Sequence, residues 1–212
     1  MPHYAKKTLD LYFEYHFGWG ELCSNSHRGN HDLSQHSRYS GKDLSIDGII
    51  PEVIEVSFGV ERLMLAVLED AYHRKINTNK DGSQTIREFL KLHPLLCPYF
   101  VAIIPLPVSK DKAKGKEKIC AKAYQLYCEL LKVSNFTVTY EKTNDIGKSY
   151  RRQDAIGTYF CFTVDDQTLE NNTVTCRERD TMKQTELNAD INSLKNYLNS
   201  LYEKYWQEFI TK

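Results

Sequence analysis

After residue 98, short β-rich runs alternate with longer amphipathic stretches, and this alternation most narrows what the chain can fold into. Residues 100–106 read as a buried strand, after which Ile119, Ala123, Leu126, Tyr127, Leu130 and Leu131 recur at helical spacing. Residues 136–140 and 158–164 are β-rich, and residues 173–177 alternate. Ile191, Leu194, Leu198, Leu201 and Tyr205 then mark one face of a closing helix. Such an order predicts a compact α/β sandwich with its own core.

The first half reads differently. Residues 9–47 are polar and turn-rich, apart from an aromatic strand-like run at residues 11–17. A strand then meets a helix. In Val53-Ile54-Glu55-Val56-Ser57, alternate residues share a face, so Val53, Glu55 and Ser57 point together and Ile54 and Val56 point the other way. With the apolar face against a core, Glu55 and Ser57 open toward a cavity. Gly59 lets a ligand approach the backbone. Val60, Leu63, Met64, Val67 and Leu68 continue as a helical stripe. Arg62 falls in its first turn, where free N–H groups favour an anion and a planar guanidinium suits a polyphosphate. The competing reading is a solvated Arg62 paired with Glu61 or Glu69. Residues 73–84 are polar, contain Asp81-Gly82, and are expected to form a loop.

Charge separates few function classes at first sight. The 212 residues hold 28 Lys and Arg against 28 Asp and Glu, which argues against attachment to nucleic acid by bulk charge alone. Divided at Cys97, the first part carries 11 basic and 13 acidic residues, the second 17 and 15. The longest apolar run, residues 98–108, is broken by Pro105 and Pro107, and no secretory signal is evident near Met1, so a soluble, cytoplasmic protein is expected. Cys23, Cys97, Cys120, Cys128, Cys161 and Cys176 contain no Cys-x-x-Cys pair and are expected as free thiols, several of them buried.

Other runs offer chemistry beside a plainer alternative. Phe17-Gly18-Trp19-Gly20-Glu21-Leu22 places a carboxylate among glycines, fit to bond a purine amino group or ribose hydroxyl, or else forms a tight aromatic turn. His27, His31 and His36 invite a metal, but Gly29 interrupts the run and no carboxylate–cysteine set completes a site, so no metal ligand is assigned. Lys110, Lys112, Lys114, Lys116 and Lys118 alternate through a segment that either steers a phosphate backbone or is a solvated loop. Residues 148–154 and 177–180 mix Arg, Tyr, Gln and Asp, types that stack on unpaired bases or form helix-surface ion pairs.

These residues converge on one family. His3-Tyr4-Ala5-Lys6 with Phe17-Gly18-Trp19-Gly20-Glu21-Leu22 resembles the HYAKAT…FGWGEL block of homodimeric glycyl-tRNA synthetases. Arg28-Gly29-Asn30-His31-Asp32-Leu33 is similar to that family's R-T-D-Y-D-L, and Ser40-Gly41-Lys42-Asp43-Leu44 follows it. Residues 53–62 resemble V-I-E-P-S-x-G-x-[DE]-R, motif 3 of class II synthetases. Lys91-Leu92-His93-Pro94, residues 146–154, Ile156-Gly157-Thr158 and Arg179-Asp180-Thr181-Met182 continue the match through an anticodon-binding domain.

The resemblance implies an α/β protein: residues 1–92 as a partial class II catalytic domain, an α+β remnant of its antiparallel sheet, and residues 93–212 as an anticodon-binding domain with a mixed sheet flanked by helices. It implies ATP-dependent activation of glycine, with Mg²⁺ on the phosphates, and transfer to tRNA(Gly). No protein nucleophile is needed, because alignment and charge stabilisation carry the chemistry. Glu55, Ser57 and Gly59 would line the glycine pocket. Glu21, Leu22, Gly59, Val60, Glu61 and Arg62 would meet ATP. Arg151, Arg152, Arg177 and Arg179 would contact tRNA. Neither a membrane nor DNA is expected as a partner.

Three departures stand out. Val56 replaces the family's proline, Cys23-Ser24-Asn25-Ser26 replaces its Gly-Ile-Ala stretch, and His31 replaces its tyrosine. Nothing before His3 corresponds to motif 1, the dimer interface, or to motif 2, whose arginine grips the α-phosphate. The isolated chain is therefore expected not to adenylate by itself, and a catalytic sheet cut in this way would expose an edge and apolar surface. A non-catalytic tRNA-binding protein and one half of a split enzyme are the alternatives that follow. A synthetase-like polymerase accessory subunit is a third, disfavoured because Glu21, Glu55, Ser57 and Arg62 are retained.

Overall fold

The computed structural model describes residues 5–78, 82–107, 114–142 and 145–211. Part of the resemblance (His3, Tyr4) and of the lysine run (Lys110, Lys112) lies outside them. The chain divides into two compact units, Met1–Asp70 and Ala71–Lys212.

In the first unit, β1 (Lys7–Tyr15), β2 (Gly18–Gly29) and β3 (Val53–Phe58) form an antiparallel sheet in that order. Helix α1 (His31–Ser40) follows β2, and α2 (Val60–Ala71) follows β3. The turn-rich reading of residues 9–47 missed β2 and α1, because β2 is built largely from Ser, Asn and Gly. Gly20 is required by packing: a Cβ there would stand 2.9 Å from the Tyr15 ring. Tyr15 is buried and donates its hydroxyl to the Arg62 carbonyl of α2 at 3.0 Å.

Ile54 and Val56 do share the face opposite Glu55, but that face is not a core. Ile54, Val56 and Phe58 are 75%, 59% and 57% exposed, and Leu9 and Leu11 across the sheet are exposed with them. Among the described residues no strand pairs with the outer edge of β3.

The second unit opens with a hairpin, β4 (Tyr72–Thr78) and β5 (Gln84–Leu90), where a loop was expected from residues 73–84. One face of this ribbon carries Tyr72, Ile76 and Ile86, all exposed, while Arg87 and Phe89 are buried on the other. Five strands then form a mixed sheet in the order β10-β9-β8-β6-β7. These are β6 (Val101–Pro105), β7 (Val138–Tyr140), β8 (Phe160–Val164), β9 (Thr173–Glu178) and β10 (Gln184–Asn188). Strand β6 runs parallel to both neighbours, and the remaining pairs are antiparallel. The expected mixed sheet flanked by helices is what forms.

Strands β6 and β8 are apolar at nearly every position because both faces are covered. On one face Val101, Ile103, Phe160 and Phe162 pack with α3 (Lys114–Val133) and α6 (Ile191–Ile210). On the other, Ala102, Ile104 and Cys161 meet Ile146 and Tyr150 of α4 (Ile146–Ile156). Helix α5 (Asp166–Asn171) starts in a capping box formed by Asp165 and Thr168. All six cysteines are free, with Cys161 and Cys176 buried. No helix of the described residues is long and apolar enough to cross a membrane.

Helix α4 ends at Gly157, whose φ is +84°. A Cβ there would lie 2.8 Å from Leu92 Cδ1 and 3.3 Å from the Leu90 carbonyl oxygen, so conformation and space both demand glycine. Gly157→Ala is expected to destabilise the second unit by about 2 kcal/mol or more, read as a lower urea midpoint at unchanged slope.

Candidate functional site

In the first unit, register sets the candidate site. Glu55 lies opposite Ser26, and Ser57 opposite Ser24. Ser24 in turn faces Asp10 and donates to its carboxylate at 2.6 Å, while the Ser26 and Thr8 hydroxyls stand 3.4 Å apart. One face of the sheet is thus a field of hydroxyls and carboxylates. A bulge interrupts β2: Leu11 pairs with Cys23 but Tyr12 with Glu21, leaving Leu22 unpaired. The extra residue brings Glu21 to the side of Ser24 and Ser57, which plain alternation from Ser24 would not do.

Helix α2 starts at the end of β3. The Leu63 N–H bonds the Gly59 carbonyl at 2.9 Å, and a Cβ on Gly59 would meet only Arg62 side-chain atoms at 3.8 Å or more. The fold itself leaves space above Gly59. Arg62 donates to the Glu21 carbonyl at 2.9 Å and bonds neither Glu61 nor Glu69. Glu69 instead receives the His16 amide at 2.9 Å and pairs with the His16 ring, contacts that hold its carboxyl below the usual range. Glu21, Glu55, Ser57, Gly59 and Arg62 therefore border one region of sheet face and helix start, with Val60 and Glu61 exposed in the first turn of α2.

Glu55 is not a lone carboxylate. Arg28 stands 3.0 Å from its Oε2 and also grips Asp32, at the start of α1, through Nε and a second nitrogen at 2.9 Å. That grip lowers the Asp32 pKa. His27, a candidate metal ligand by type, lies 2.9 Å from Glu52 Oε2, and Lys6 bonds the same carboxylate. Among the described residues, no three His, Cys, Asp or Glu gather to hold an ion.

In the second unit the four candidate arginines separate. Arg177 and Arg179, expected at an RNA surface, are buried. Arg177 makes a two-pronged bond to Asp154 at 2.8 and 3.0 Å and lies over the Tyr150 ring. Burial works against its charge, but the bond to Asp154 outweighs this and raises its pKa. Arg179, 1% exposed, donates to the Gly157 carbonyl at 2.8 Å and the Leu92 carbonyl at 2.7 Å, and pairs with Asp180. Neither guanidinium is open to a nucleic acid. Sequence offered one weak signal of this: β9 alternates apolar residues toward one helix layer, so Arg177 must face the other, where α4 supplies Asp154.

Arg151 and Arg152 lie on the exposed side of α4. Arg152 is 60% exposed and anchored at 2.7 Å by Glu141, a buried carboxylate that also accepts from Gln153. The stretch from Lys114 to Arg152, covering α3, β7 and the first seven residues of α4, holds nine Lys and Arg against four Asp and Glu in a chain of zero net charge. A division of the sequence at Cys97 dilutes this excess across a longer segment. The C-terminal ends of the parallel strands β6 and β7 fall beside it, the end of such sheets where ligands settle.

The mixed sheet, with a basic stretch beside the ends of its parallel strands, is the part of the chain that a known family covers. The chain belongs to the anticodon-binding domain family: the family described as "Anticodon binding domain" matches residues 101–207. Its similarity extends beyond that domain, to glycine–tRNA ligases. It is 46% identical over 194 residues to the ligase of Mycoplasmopsis synoviae, covering 89% of this chain and 40% of that protein. It is 43% identical over 208 residues to that of Mesoplasma florum, covering 95% and 42%. The Clostridium perfringens ligase is 40% identical over 190 residues, covering 87% and 38%. These matches support a C-terminal glycyl-tRNA synthetase portion, and the chain spans about two fifths of the length of these relatives. Among solved structures, the fold is similar to Giardia lamblia prolyl-tRNA synthetase in complex with prolyl-adenylate. There the TM-score is 0.63 at 13% identity, covering 95% of this chain and 40% of that one. The Cryptosporidium parvum prolyl-tRNA synthetase complexed with L-proline and AMP gives 0.58 at 17%, covering 90% and 35%.

Arg87 completes the buried cluster, donating to Asp154 at 3.0 Å and to the Arg179 carbonyl at 2.5 Å. Asp154→Ala leaves two buried guanidinium groups without their carboxylate and is expected to cost about 3–5 kcal/mol in chemical denaturation. Arg151→Ala, at an exposed position, should stay within about 0.5 kcal/mol of the parent.

Proposed function

We propose that this chain serves glycine–tRNA ligation, with the second unit recognising the anticodon of tRNA(Gly) and the first contributing glycine and ATP contacts. The observation that carries the reading is the exposed, carboxylate-anchored Arg152 beside Arg151, within a basic stretch of an anticodon-binding domain. The limit expected from the sequence, between residues 92 and 93, falls inside the second unit, Ala71–Lys212, and the family match at residues 101–207 lies beyond either limit.

In the reaction, a glycine carboxylate oxygen attacks the α-phosphorus of ATP, and pyrophosphate leaves. A tRNA ribose hydroxyl then attacks the glycyl carbonyl, and AMP leaves. Glu55 and Ser57 would receive the glycine ammonium. The Asp32–Arg28–Glu55 set keeps one net negative charge, so it still favours a cation. Gly59 would allow the substrate close to the backbone. Glu21 and Leu22 would border the nucleotide, and Arg62 with the first turn of α2, at Val60 and Glu61, would meet its phosphates. Mg²⁺ would arrive on ATP, where it neutralises phosphate charge. Adenylation also needs a cation on the α-phosphate, a role that this reading assigns to none of the residues named above.

Two assays test this. Purified chain should bind tRNA(Gly) with an affinity that falls with salt, and Arg151→Ala or Arg152→Ala should each weaken binding and lower the salt slope by about one. Glycine-dependent ATP–pyrophosphate exchange by the same preparation should stay at background. Exchange above background would show that the first unit assembles an adenylation site unaided, and absence of salt-sensitive binding would overturn the tRNA reading.

A further inference from the structure

We propose that Tyr124, Tyr127 and Tyr140 form a stacking platform for an unpaired RNA base at the β7 edge of the second unit. The inference rests on the tRNA reading and names a surface that neither the similarity nor the sequence motifs assign.

Tyr124 and Tyr127 lie on consecutive turns of α3, and Tyr140 is the last residue of β7, the edge strand of the mixed sheet. Their ring centroids are 5.6 Å (Tyr124–Tyr140), 5.8 Å (Tyr127–Tyr140) and 5.9 Å (Tyr124–Tyr127) apart. Tyr127 and Tyr140 are half-buried against the core and hold the arrangement. Tyr124 is 55% exposed and offers its ring outward. An exposed aromatic ring backed by two fixed ones is an inefficient way to stabilise a domain and an efficient way to receive a flat, unstacked base.

The occupant follows from charge and position. The platform sits inside the Lys114-to-Arg152 stretch, where basic residues outnumber acidic ones nine to four. Tyr140 is followed directly by Glu141, the carboxylate that fixes Arg152 on the α4 side of the sheet. Strand β7 thus carries aromatic rings on the α3 side and leads straight into an anchored cation on the other. A single-stranded loop crossing this edge meets both, with phosphates toward the cations and a base on the rings.

The test is binding of a tRNA(Gly) transcript by the full chain, followed by fluorescence anisotropy for the parent, Tyr124→Ala, Tyr124→Phe and Arg152→Ala, with thermal melts as a check on folding. Tyr124→Ala should weaken binding about tenfold or more, the scale of one lost base stack, and Tyr124→Phe should bind like the parent. Parent-like binding by Tyr124→Ala, with Arg152→Ala weakened, would overturn the platform and leave the tRNA reading intact. Equal losses in Tyr124→Ala and Tyr124→Phe would overturn stacking in favour of the hydroxyl. A parent chain that does not bind would overturn both.

Discussion

Asp154 is the point on which the second unit turns. Its carboxylate lies inside the protein and receives Arg177 from β9 and Arg87 from β5, so one acid on α4 joins the hairpin, a helix and the sheet. The two cations share this single carboxylate in a medium that screens little, so its loss would leave both buried without a counter-charge. Around this cluster Arg179 passes its guanidinium to the carbonyls of Gly157 and Leu92, satisfying the end of α4 and the turn after β5. Gly157 can accept this only because its left-handed backbone turns the chain within a space too small for any side chain.

That cluster also explains where sequence reading succeeded and failed. Apolar periodicity decided β6, α3, β8 and α6, because each is buried by a pattern that its own residues display. The joint at residues 53–62 was equally readable: alternation grouped Glu55 with Ser57, and Gly59 marked the passage into α2. What alternation alone did not reveal was the unpaired Leu22, which turns Glu21 into the same field. The hairpin at residues 72–90 escaped because only alternate residues of one strand are buried, and of the two buried in β5 one is Arg87. Arg177 and Arg179 were misplaced for the same reason. A charged residue reads as surface unless its buried partner is known, and Asp154 lies 23 residues from Arg177 in sequence.

The two units use carboxylate–arginine pairs in opposite ways. Asp154 neutralises cations that never meet solvent. In the first unit Arg28 lies between Asp32 and a Glu55 that remains partly exposed, and at the β7 edge Glu141 is buried while its Arg152 is open. The same chemistry braces the interior in one case and presents an oriented charge in the others. Orientation matters more than strength there, since an arginine already fixed by one bond loses less freedom when it takes a second partner.

A neutral chain that concentrates five surplus positive charges between residues 114 and 152 must carry a matching acidic surplus elsewhere. With no net charge behind it, the basic surplus exerts little pull at long range, and salt confines it further, to about 10 Å at 0.1 M. Neutrality here sacrifices reach: a polyanion is felt only once it is beside the basic stretch itself, so selectivity is decided at contact rather than on approach.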